Sequence, residues 1–153
     1  MEQDHKRYSF RNLALWQRGQ ELALEIIKMT ERLLDTASAR VIARQVVSSA
    51  SSVSANIAEG HGRFSVAAYR NHLSIARGSA CETATWIDLL SRAGYIDSAA
   101  EKELASRCNE LLAGLTNQMR ALERKLKSSG IPKLSESVVS YDPDFSISSC
   151  ETD

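Results

Sequence analysis

From Met1 to Ile131 the chain contains no proline; its two prolines, Pro132 and Pro143, both come later. A segment that long without a proline is free to run as uninterrupted helix, and its apolar residues recur at helical rather than strand spacing. Four such segments are predicted. The first runs from about Leu13 to Leu34 and carries two stripes, one of Trp16, Ala23, Ile27 and Leu34, the other of Leu15, Leu22, Ile26, Met29 and Leu33. Two stripes on one helix mean burial on two sides.

The second helix is predicted from about Ala39 to Glu59, with Ile42, Val46, Ala50, Val53 and Ile57 on its core face. Ser48, Ser49, Ser51, Ser52 and Ser54 fill much of the remainder. Serine is a poor helix former, so this helix must gain its stability from packing, and its small side chains admit a close neighbour. Gly60 and Gly62 are expected to end it, glycine being suited to a left-handed cap. Ser65 reads as the N-cap of a third helix that reaches about Ala93 and stops at Gly94. Its main stripe is Tyr69, Leu73, Ala76, Ala80, Ala84, Ile87 and Leu90; a second is Ile75, Trp86, Leu89 and Ala93. Asp97 is the expected cap of a fourth helix ending near Lys127, with Leu104, Cys108, Leu111, Leu115, Met119, Leu122 and Leu126 inward.

Short connections between four helices predict an all-α, antiparallel up-and-down four-helix bundle. It spans residues 10–128, between a flexible N-terminus (1–9) and a disordered acidic tail (129–153). The double stripes on the first and third helices suggest more apolar surface than one copy hides, and hence a homo-oligomer; the alternative is that the first helix is simply central within its own bundle.

Net charge is zero over the whole chain, but residues 1–128 hold 18 Lys and Arg against 14 Asp and Glu, a net +4. Residues 129–153 hold Lys133 against Glu136, Asp142, Asp144, Glu151 and Asp153, a net −4. No apolar run exceeds four residues, against the roughly 18 a membrane span needs, so no membrane role is expected. Without a secretory segment at the N-terminus the expected location is the cytoplasm. Three widely spaced cysteines fit neither a disulfide framework nor a zinc site. The histidines fit no ligand motif, no nucleotide-binding glycine loop occurs, and Cys81 and Cys108 fall on or beside apolar stripes as inert buried thiols. No catalytic residue, metal or cofactor is expected.

The polar residues offer two readings. Arg63, Arg70 and Arg77 are seven apart and would share a face if all lay on one helix. With Arg40 and Arg44 they are candidates for contacting phosphates, or else members of structural ion pairs. Asn56, Glu59, Gly78 and Glu82 fit a buried hydrogen-bonded network that sets helix register or a subunit interface. Glu82 is too far along from Arg77 for a close intrahelical pair, and Glu59 is left for an arginine of another helix or subunit.

Several segments taken together resemble one known family over roughly residues 10–126. They are Phe10 to Gln17 (FRNLALWQ), Gln45 to Gly60 (QVVSSASSVSANIAEG), Arg63-Phe64-Ser65, Leu73 to Glu82 (LSIARGSACE) and Gly94-Tyr95-Ile96-Asp97. The family is the bacterial four-helix-bundle family named for the intervening sequences of large-subunit ribosomal RNA. The resemblance implies an antiparallel bundle and a ring-like homopentamer. It also implies kinship with an accessory protein of diversity-generating retroelements, which partners a reverse transcriptase and binds nucleic acid, RNA or DNA, through a basic surface. The family motif covers Asn56, Glu59, Gly60, Arg63, Gly78, Ser79 and Glu82, without a catalytic role for any of them; with Trp86, these (Arg63 aside) are the structural or interface candidates. The acidic tail departs from the family pattern and would weaken nucleic-acid binding or compete for the same surface. The expected function is therefore a non-catalytic oligomeric scaffold that binds nucleic acid, or alternatively a protein-interaction module such as a reverse-transcriptase accessory subunit.

Overall fold

The computed structural model describes residues 9–33 and 36–128. Residues 1–8 of the expected N-terminal arm, Leu34 and the acidic tail lie outside the described residues. A single 3-10 turn, Phe10–Asn12, leads into four helices: α1 (Ala14–Thr30), α2 (Ala37–His61), α3 (Val66–Arg92) and α4 (Ser98–Ser128). The starts of α2, α3 and α4 and the end of α3 have local chemical causes. Thr36 accepts the Ala39 amide at the start of α2, and Ser65 accepts the Ala68 amide at the start of α3. Asp97 Oδ1 takes the Ala99 and Ala100 amides at 3.0 and 2.8 Å ahead of α4. Past α3, Gly94 adopts φ +76°, and the Tyr95 amide reaches back to the Leu90 carbonyl at 2.9 Å, the Schellman arrangement. The α2 terminus differs from expectation. Gly62 keeps a right-handed φ of −77°, and Gly60 lies inside the helix.

Paired positions rise on one helix as they fall on the next. Ser52 meets Ser79 and Ser49 meets Thr83 across α2 and α3; Glu123 meets Arg70 and Thr116 meets Arg77 across α4 and α3. Leu15 lies against Gly114, and Glu25 pairs with Arg107, across α1 and α4. All three sets are antiparallel, which gives the up-and-down bundle. The core is one cluster built around Leu22, Ile26, Val53, Ile57, Leu73 and Ile87, all fully buried, with Leu111 and Leu115 from α4. Burying each such side chain contributes about 1.5–3 kcal/mol.

The α2–α3 interface is the most extensive helix pairing. The serines of α2 make it so. Ser49 and Ser52 are small enough for close approach, and each hydroxyl is satisfied locally or across the seam. On the other side of α2, Gly19 of α1 brings its Cα so near that an added Cβ would sit 3.2 Å from Ser54 Cβ. The first helix packs against both α2 and α4, which accounts for most of its two stripes: Leu22, Ala23 and Ile26 are buried, and Leu15, Trp16 and Met29 pack on the core. Leu24 and Ile27 remain exposed on α1, and Ile75 and Leu89 on α3. Among the described residues no helix is long and apolar enough to cross a membrane.

Candidate nucleic-acid interface

The five arginines singled out by sequence do not form one surface. Arg40 and Arg44 lie in the first two turns of α2, whereas Arg63 follows its C-terminus. At about 1.5 Å per residue, most of the length of α2, some 30 Å, separates them. The row Arg63–Arg70–Arg77 is also corrected. Arg63 precedes the Ser65 cap and sits in the turn, so only Arg70 and Arg77 share a helix. Both are tied to α4: Arg70 donates Nε and Nη2 to Glu123 Oε1 at 3.0 and 2.5 Å, and Arg77 Nε donates to Thr116 Oγ1 at 3.2 Å.

Five of the motif residues, Asn56, Glu59, Gly60, Arg63 and Ser79, assemble along the α2–α3 seam, whereas Gly78 and the exposed Glu82 do not join the expected buried network. Arg63 Nη2 pairs with Glu59 Oε1, so the arginine that Glu59 receives comes from the turn of its own chain. Arg63 Nε donates to His72 Nε2 at 3.2 Å, and His72 Nδ1 faces Asn56 Oδ1 at 3.4 Å. With Nε2 accepting, Nδ1 carries the proton and Asn56 Oδ1 receives it. Asn56 Nδ2 in turn donates to the carbonyl and hydroxyl of Ser52 at 2.9 and 3.0 Å. The Ser52 and Ser79 hydroxyls pair at 3.1 Å, and one turn deeper Thr83 bonds Ser49 at 3.0 Å. A continuous polar ladder thus runs from the exposed turn to the buried middle of the bundle. Gly60 belongs to it by absence: a Cβ there would meet His72 Cβ at 2.6 Å and Tyr69 Cδ2 at 2.9 Å.

Glu82 and Trp86 stand apart from that ladder. Trp86 Nε1 donates to Glu82 Oε1 at 3.2 Å, and the half-buried Trp86 ring packs on the core of its own copy. Gly78, by contrast, has nothing within 4 Å of the position its Cβ would take.

Charge is divided along the bundle axis. The half containing the α2–α3 turn comprises residues 9–22, 49–79 and 114–128, and holds nine Lys and Arg against three Asp and Glu. The remaining described residues hold seven against eight. Arg120, Arg124, Lys125 and Lys127, all exposed near the end of α4, supply much of the excess. Their sequence positions alone mark them only as partners of the helix dipole. At the same end Phe64 is fully exposed beside Arg63, and Val66 is 38 % exposed. Arg11 lies 5.0 Å over the Phe10 ring.

The cysteines differ from each other. Cys108 is buried, and burial, with a smaller effect from neighbouring Cys81, pushes its thiol up to about 11. Cys81 is exposed, contrary to the expectation of two buried thiols. No group of three or more His, Cys, Asp or Glu among the described residues is placed to hold a metal ion.

Residues 11–117 match the 23S rRNA-intervening sequence protein family. The chain belongs to that family. A solved structure described as a protein with unknown function from the S23 ribosomal protein family of Bacteroides thetaiotaomicron VPI-5482 is similar to it, with 27% sequence identity and a TM-score of 0.65. That similarity covers 69% of this chain and 98% of the other. No protein with a curated description matches. The segments from Phe10 to Asp97 that resemble the intervening-sequence family fall within or beside the matched region, and the ladder from Arg63 to Ser79 lies wholly inside it.

Proposed function

We propose that this chain is a non-catalytic scaffold that assembles with copies of itself and binds nucleic acid, RNA foremost, through the basic half of its bundle. The observation that carries the reading is the division of charge: nine cationic against three anionic residues in the half that ends at the Arg63–Phe64 turn. Phosphate backbones are attracted to such a surface regardless of sequence. Arg124, Lys125 and Lys127 are the leading contacts, with Arg63 and Arg70 beside them, each of which already pairs with a carboxylate. Phe64 offers one aromatic face for an unpaired base. Assembly, which the family resemblance puts at five copies in a ring, would pool the basic surfaces; Ile75, Leu89 and the open flank at Gly78 on α3 are the surface available for it.

The non-catalytic part of the proposal rests on two of the reactive groups, while a third, the Cys81 thiol, is exposed. Cys108 is buried, and both ring nitrogens of His72 are occupied by Arg63 and Asn56.

A mobility-shift titration with a ribosomal RNA fragment at 50 and 200 mM salt tests the reading. Four to five phosphate contacts would cost about 10²-fold in affinity over that interval. Absence of any complex at 50 mM salt overturns it. The exposed apolar residues Phe64, Ile75 and Leu89 favour a second reading, a protein-interaction module such as an accessory subunit of a reverse transcriptase. A complex formed mainly through those side chains would keep its affinity as salt rises.

A further inference from the structure

We infer that His72 is a proton-operated latch on Arg63: when its ring takes up a second proton it exchanges Arg63 for Glu59, and the Arg63 guanidinium is released to solvent at the α2–α3 turn. That this release strengthens polyanion binding rests on the proposed basic site; the exchange itself does not.

The polar ladder decides where the proton lands. Asn56 Nδ2 donates to the Ser52 carbonyl and hydroxyl at 2.9 and 3.0 Å, which leaves Asn56 Oδ1 facing His72 as an acceptor. His72 Nδ1 therefore keeps its hydrogen, and the lone pair sits on Nε2, where it accepts from Arg63 Nε at 3.2 Å. A second proton can be added only at Nε2. There it sets donor against donor and cation against cation, so the bond to Arg63 is lost. The ring has little room to retreat, because its Cβ lies against Gly60 and its Nδ1 is held by Asn56.

The new charge needs a partner, since only 14% of the His72 side chain is exposed. Glu59 Oε1 stands 3.9 Å from Nε2. Its side chain is half exposed, and a movement of about 1 Å brings it to the distance of a charge-assisted hydrogen bond. The same oxygen now holds Arg63 Nη2, so drawing it to His72 takes it from Arg63. The groups facing the ring are thus Glu59 and Asn56 from α2 and Arg63 from the turn; among the described residues α1 and α4 send it no hydrogen bond or ion pair. His61, the other histidine at this end, sets its ring edge-on to Tyr69 instead. Arg63, freed from both partners, would stand beside the exposed Phe64 in the basic half. Imidazole is the side chain that changes charge between about pH 5 and 8, so the latch works in that interval.

The test follows the full chain by nitrogen NMR from pH 8 to pH 5, with the Arg63 Nε signal assigned through Arg63→Lys. At pH 8 the His72 ring should show the hydrogen on Nδ1; the opposite tautomer overturns the latch. On acidification the Arg63 Nε signal should move in step with the His72 ring and its steady-state NOE should fall, while His72→Gln, which can accept from Arg63 but takes no proton, should leave both still. An Arg63 signal that ignores the His72 titration, or an NOE that does not fall, overturns the release. In parallel, a poly(U) 20-mer carrying a pH-insensitive dye is titrated at several salt concentrations at pH 8 and pH 5.5. One added phosphate contact should steepen the log–log salt slope by about 0.7 at the lower pH. The steepening should vanish in Arg63→Gln and in His72→Gln and persist in His61→Asn. An equal slope at both pH values, or steepening that survives both Arg63→Gln and His72→Gln, overturns the effect on polyanions. Release seen by NMR with no poly(U) binding at either pH keeps the latch and refutes the polyanion site.

Discussion

Gly60 on α2 faces His72 on α3 so closely that a methyl group in place of its hydrogen would lie 2.6 Å from His72 Cβ. The contact is with a Cβ, which cannot swing aside, and the Tyr69 carbonyl at 3.3 Å closes the other side. Gly60→Ala must therefore force α2 and α3 apart and disturb the His72–Asn56 bond. Overpacking of this kind costs about 1–3 kcal/mol. Urea unfolding should show a lowered midpoint with an unchanged slope; an unchanged midpoint would mean that the helices are not held this close.

The Ser52–Ser79 pair gives a second expectation. Ser79→Ala removes one hydroxyl from a nearly buried pair and should cost about 1 kcal/mol. Adding Ser52→Ala removes the group left behind, so the double variant should lose less than the sum of the singles. Strict additivity in a double-mutant cycle would show that the two hydroxyls do not interact.

Helical glycine with no neighbours is a stability cost with no return inside one copy. Gly78→Ala should raise the stability of the isolated bundle by about 0.5–1 kcal/mol, because alanine is the better helix former. If α3 packs against another copy, the same methyl group sits in that interface and the oligomer should weaken. Ile75→Asp and Leu89→Asp replace exposed side chains and should lower the mass seen by light scattering while leaving helicity intact. Trp86→Asp is the poorer probe, since Trp86 packs on the core. Mass unchanged in all of these variants would remove α3 from the assembly surface.

Alkaline pH should destabilise the fold in a defined direction. Burial raises the Cys108 thiol to about 11 from 9.0 and also raises the Tyr69 hydroxyl above 10.0. Both groups hold their protons more tightly when folded, so the unfolded chain ionises first. Stability is full below about pH 9 and is lost as pH rises towards 11. The urea midpoint should drop between pH 8 and pH 10.5, and less so in Cys108→Ala. An identical drop with and without the thiol would show that Cys108 contributes nothing to it.

Much of the bundle was legible in the sequence because its signals are local. The Ser65 and Asp97 caps, the Gly94 stop and the heptad-like run from Leu104 to Leu122 need only neighbouring residues to be read. The site was harder. Seven-residue spacing predicts a row from Arg63 to Arg77, but the Ser65 cap starts the helix after Arg63, and a helical period does not extend across a cap. Gly60 read as a terminator because close approach to His72 is a tertiary fact. Helical stripes do not say which neighbour covers them: Trp86, on the second stripe of α3, packs partly on the core of its own copy. The basic cluster from Arg120 to Lys127 was visible as residues, but its meaning required the antiparallel topology that puts it beside the α2–α3 turn.

The most direct measurement compares two charge reversals in one RNA-binding titration at 50 mM salt. Arg124→Glu with Lys127→Glu alters the basic half, and Arg40→Glu with Arg44→Glu makes the same charge change at the far end. Binding through the basic half predicts a loss of at least tenfold in the first variant and affinity within about twofold of the parent in the second, with circular dichroism unchanged in both. Equal losses in the two variants, or a greater loss in the second, would contradict it.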